Sequence, residues 1–160
     1  MIRSITAAAL AFVIAGLSGP ALGASAETLQ IYGGMAKLEA NKAEAAGAVM
    51  KAAAFHDDPA VLEEAAEDFA SDRDQLAGYI EALGALNLSD SQRAALDAFA
   101  EGWNTAAEEG AALIEAASME SDYRARLATW WESLDDLDDT LDDALEEILE
   151  AEGVAFEDDD

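Results

Sequence analysis

Two cations in this chain stand where a helix should be apolar. Lys42 falls within the stripe Ile31, Met35, Leu38, Ala45, Val49, Ala52, and Arg73 falls between Phe69 and Leu76 in the stripe that follows. An ammonium and a guanidinium brought together inside a fold lose hydration and repel each other unless an anion lies between them. If the turns of a helical bundle centre near Asp57 and Asp58, near Leu88, and near Met119 and Glu120, residues equidistant from a turn share a height, and both cations come level with Trp103. This predicts a small-anion site built from Lys42, Arg73 and Trp103, with the indole keeping water from the charges. In the competing arrangement both side chains reach the surface along their aliphatic stems and pair with Asp68, Asp72 or Glu44.

The carboxylates offer a second chemistry. Asp135, Asp138, Asp139, Asp142 and Asp143 lie close together on one segment, and oxygen ligands of this kind suit calcium. A helix holds them on an exposed cylinder instead of wrapping them around an ion, and no glycine-containing calcium loop occurs, so weak, multiple cation binding is expected. His56, the only histidine, stands beside Asp57 and Asp58. A metal site needs several convergent ligands, so His56 reads as a solvent-facing turn residue. The absence of cysteine removes disulfides, thiolate metal sites and thiol nucleophiles. No carboxylate pair stands out as acid and base, and no Glu-x-x-His di-metal motif is present. The chain therefore reads as a binding protein without a cofactor, not as an enzyme.

Charge narrows the partners. The sequence holds 35 acidic residues against eight basic ones, a formal net charge of -27, so nucleic acid and anionic lipid are repelled. The acidity fits either a surface for cations or a basic partner, or a solvated surface suited to saline or acidic surroundings.

The elements that would position these residues are helices. Residues 1–26 have the pattern of an export signal: Arg3, an apolar run from Ala7 to Leu17, and the small residues Ala24, Ser25 and Ala26 before the cleavage point. The remainder, in the periplasm or secreted, would form one domain over 27–153 with an acidic tail over 154–160. Low proline and high alanine favour long helices.

The first is expected from about Thr28 to Ala54, with Gly33 and Gly34 marking a frayed start or a close approach. The second runs from Pro59 to about Leu83, capped by Asp58, with Leu62, Ala66, Phe69, Leu76, Ile80 and Leu83 in register. The third spans about Asp90 to Ala117, opened by a Ser89/Gln92 capping box, and buries Leu96, Phe99, Trp103, Ala106, Gly110 and Leu113. The fourth, Ser121 to Glu152, presents Leu127, Trp130, Leu134, Leu137, Leu141, Ala144 and Ile148. Short connections make neighbours antiparallel, giving an all-α, up-down-up-down four-helix bundle. Turn arithmetic sets Trp130 against Gly110, near Phe69 and Val49. No stripe is surplus to the core, which leaves homodimer formation open.

The segment from Leu29 to Leu38, with Gly33, followed by Lys42, resembles the first-helix motif of the type IV pilus chemotaxis transducer and nitrate-sensor periplasmic domain, a four-helix bundle of similar length. Gly33 and Leu38 carry the likeness, while Gly34, Met35 and Ala36 replace the arginines and glutamines of the motif. The resemblance implies ligand sensing or partner binding outside the cytoplasm.

Overall fold

Two of the helices start at a residue whose side chain satisfies orphan amides. Asp58 accepts from the backbone amides of Ala60 (3.1 Å) and Val61 (3.4 Å), with Pro59 following it in the first turn. The Ser89 hydroxyl accepts from the Gln92 amide (3.1 Å) while the Gln92 carboxamide accepts from the Ser89 amide (2.9 Å), completing the expected capping box. The computed structural model describes residues 26–151, apart from the side chains of 144, 145 and 147–151. The helices are α1 (Ala26–Ala54), α2 (Pro59–Gly84), α3 (Asp90–Glu115) and α4 (Ser121–Ala151), with no strand among the described residues. The expected acidic tail and, but for Ala26, the export signal lie outside the described residues, as do the side chains of Ala144 and Ile148.

The four helices share one core, consistent with a four-helix bundle. α1 lies chiefly against α2 and α3 chiefly against α4. α1 also touches both α3 and α4, whereas α2 and α4 do not meet among the described residues. The α1 and α3 stripes are buried at every expected apolar position, and in α4 Trp130, Leu134, Leu137 and Leu141 are buried. One expectation is corrected in α2: Ala65 is fully buried and Ala66 is exposed. No helix among the described residues is long and apolar enough to cross a membrane.

Two glycines set how closely helices approach. A Cβ at Gly110 would lie 2.7 Å from Phe69 Cζ and 3.1 Å from Trp130 Cζ2, so the expected layer of large residues against a small one is present. A Cβ at Gly34 would overlap the Leu83 side chain, which makes Gly34 a close-approach residue, while Gly33 faces open space. In helix interiors alanine is favoured over glycine by about 1 kcal/mol where nothing obstructs it. Chemical denaturation should therefore show Gly33→Ala stabilising the fold by about 0.5 to 1 kcal/mol. Gly110→Ala should destabilise it by about 1 to 3 kcal/mol, because two rings must move.

Candidate functional site

α1 advances from Ile31 to Ala52 by alternating steps of four and three, and that cadence carries Lys42 inward. Its side chain is only 5% exposed. The ammonium donates to the Leu134 carbonyl oxygen of α4 (3.0 Å) and forms an ion pair with Asp138 on the same helix, whose side chain is 37% exposed. Lys42 thus ties α1 to α4 by one charged and one neutral acceptor. Asn41, the preceding residue, is also buried, and its amide donates to the Lys37 carbonyl oxygen (2.9 Å).

The expected companions of Lys42 go elsewhere. Arg73 is exposed, and its neighbour Asp72 takes the half-buried position in the α2 stripe. The expected inward-facing layer of two cations is therefore corrected. With Ala65 and Phe69 in the core, four residues apart, the next inward step is three residues and falls on Asp72. Trp103 is buried as expected, but its ring packs against Phe69, with centroids 6.5 Å apart and planes tilted by 41°. This contact makes it a core aromatic.

Carboxylates surround the Lys42 tie. Burial first, then the charges of Asp142 and Asp138, hold the Glu39 carboxyl above its usual range, with Lys42 pulling the other way. Asp142 is raised by burial and then by Asp138 and Asp139, again opposed by Lys42. One ammonium thus faces Glu39, Asp138 and Asp142. Of the other α4 carboxylates in the expected cation surface, Asp135, Asp139 and Asp143 are exposed. Among the described residues no group of three or more carboxylates or histidines is arranged to hold a metal ion.

A second acidic seam lies between α1 and α2. Glu44, Lys51, Asp68 and Asp72 line a shallow groove there. Lys51 bridges Glu64 (3.0 Å) and Asp68 (3.2 Å). Burial, followed by Glu44 and Asp68, raises the Asp72 carboxyl. His56 pairs with Asp57 across 3.3 Å at the turn and is only partly exposed.

Sequence reasoning missed Asp138 as the partner of Lys42 and Asp72 as the charged residue of the α2 stripe. The signal for Asp138 was present in the turn arithmetic. Carried from Lys42 through α2 and α3 into α4, it arrives near residue 136, within two residues of both Leu134 and Asp138. No protein-family model, curated protein or solved structure matches this chain.

The raised carboxyls give a pH dependence of definite sign. Glu39, Asp72 and Asp142 bind protons more tightly in the folded state, so their stabilising contribution is complete below the ordinary carboxylate range and is lost as pH rises through their elevated values. The melting temperature should rise when pH is lowered from about 7 to about 5. A variant carrying Glu39→Gln and Asp142→Asn should melt higher than the parent at neutral pH and show a smaller rise. Thermal melts of both proteins across this range check the expectation.

Proposed function

We propose that this chain is an exported, non-enzymatic binding module, periplasmic or secreted, that works through its acidic surface. It takes a basic protein partner by charge and holds cations weakly at many places. The observation that carries this reading is the use of Lys42 inside the fold, where Leu134 and Asp138 occupy its ammonium while Asp135, Asp136, Asp139 and Asp143 of α4 are exposed. A small anion would have to displace Asp138, and Arg73 is in water on another helix. The anion-sensing role implied by the transducer resemblance is therefore set aside, and its extracytoplasmic binding role is kept.

The reading includes an up-down-up-down antiparallel bundle. In its support, Lys37 stands over the Tyr79 ring (5.2 Å) while Lys51 pairs with Asp68 (3.2 Å), so contacts between α1 and α2 run in opposite directions along the chain. Between α3 and α4, Gly102 meets Leu137 while Glu109 pairs with Arg126 (2.8 Å), in the same opposed sense. This topology spreads the acidic faces over the outside of a cylinder, where they act together on an approaching basic surface.

Calorimetric titration tests the reading. A lysine homopolymer should bind at low salt and lose at least about tenfold in affinity between ~50 and ~500 mM monovalent salt. Calcium should bind weakly and at several places, and nitrate and acetate should give no saturable heat. A single stoichiometric anion step would restore the anion-sensor reading. A single tight calcium step would make the protein a dedicated cation binder instead.

A further inference from the structure

A groove of about 670 Å³ runs between α3 and α4. On α4 it extends from Ala125 to Leu137, thirteen residues or roughly 18 Å of helix, so it is a trough and not a compact cavity. Trp130 and Leu137 form its floor, and small residues such as Gly102, Ala106 and Thr129 keep it open. The floor is fixed: the Trp130 indole donates to the Ala106 carbonyl oxygen at 2.7 Å, and the Ser133 hydroxyl donates to the Trp130 carbonyl oxygen at 2.7 Å. Arg126 and Glu109 pair across one end, at 2.8 Å. With these polar groups partnered and the Asp136 carboxylate at the Leu137 end, the rest of the groove offers a visitor mainly carbon.

Its margins are anionic on both sides. Glu101 and Glu108 lie one helical turn from Thr105 on α3, and Asp122, Glu132 and Asp143 lie one or two turns from lining residues of α4; all five are exposed. An apolar trough about three turns long between two rows of carboxylates is complementary to a helix with an apolar ridge and basic flanks.

The geometry points to this groove as the seat for one amphipathic helix of a partner protein, its apolar ridge on Trp130 and Leu137 and its lysines and arginines on the carboxylate rims. The basic character of that partner rests on the acidic-surface reading above. The site within the fold rests on the groove itself.

The probe is a synthetic helix of ~18 residues made of leucine, alanine and lysine, with leucines at i, i+3, i+4 and i+7, set against a scrambled peptide of identical composition. Titrations use the full chain and two variants whose fold is checked by circular dichroism. Thr129→Arg fills the groove from an exposed position, and Ala70→Arg adds the same charge at an exposed position on α2. Thr105→Arg, exposed on the opposite wall, replaces the first variant if that one does not fold.

The amphipathic peptide should bind at least about tenfold more tightly than the scramble. Thr129→Arg should erase this difference and Ala70→Arg should keep it. Equal binding of the two peptides, or equal effects of the two variants, overturns the groove proposal while leaving the acidic-surface reading intact. Failure of both peptides to bind at low salt overturns both. A concentration-dependent dimer that Thr129→Arg disrupts would make the occupant a second copy of this chain and overturn the proposed partner.

Discussion

The buried ammonium of Lys42 is the interaction on which the arrangement of this protein depends. α4 carries a dense run of aspartates, and placing that helix against α1 sets Glu39, Asp138 and Asp142 side by side. Without a cation between them the two helices would be pushed apart at the point where their stripes must meet. Lys42 supplies the cation, and the Leu134 carbonyl oxygen gives it a second acceptor, so its desolvation is offset at both ends. Burial first, and then the neighbouring carboxylates, hold the Glu39 and Asp142 carboxyls above their usual range, with Lys42 opposing the shift. The fold tolerates this because Asp138 and Asp142 keep part of their hydration.

Much of the fold was legible because its stripes keep strict time. Steps of four and three from Ile31 to Ala52 and from Leu96 to Leu113 admit one inward face, and every apolar residue on those paths is buried. Lys42 lies on such a path and is buried. α2 has no such redundancy. Ala65 and Ala66 are the same residue type, so composition could not choose between them. Taking Ala66 as core makes the step to Phe69 three and the next step four, onto Arg73. Taking Ala65 makes them four and three, onto Asp72. A single ambiguous alanine thus produced an anion site on paper and a half-buried aspartate in the fold.

The partner of Lys42 was harder to read for a different reason. Asp138 follows Leu137 and lies beside the α4 stripe, so helical periodicity alone assigns it to the solvent face with its neighbours. Only the cross-helix register separates it from Asp135 or Asp139, and register depends on turn geometry that changes by a residue or two at helix ends. The Gly110 layer escaped this difficulty because only a residue without a side chain leaves room for Trp130 and Phe69 together. The α3–α4 groove had no sequence signal of its own, since Gly102, Thr105, Ala125, Thr129 and Ser133 form no single-helix pattern and become a trough only when two helices are paired.

A double-mutant cycle in chemical denaturation on Lys42→Met and Asp138→Asn tests most directly whether Lys42 is a structural tie and not part of a ligand pocket. If the tie organises the fold, Lys42→Met destabilises by about 1 to 3 kcal/mol, since it leaves Glu39, Asp138 and Asp142 without their cation. Adding Asp138→Asn to that variant then costs less than it does alone, with a coupling of about 1 kcal/mol or more. Additive effects, together with a Lys42→Met variant that is as stable as the parent or more so, would contradict the account. They would show Lys42 to be an uncompensated charge of the kind expected in an empty anion site.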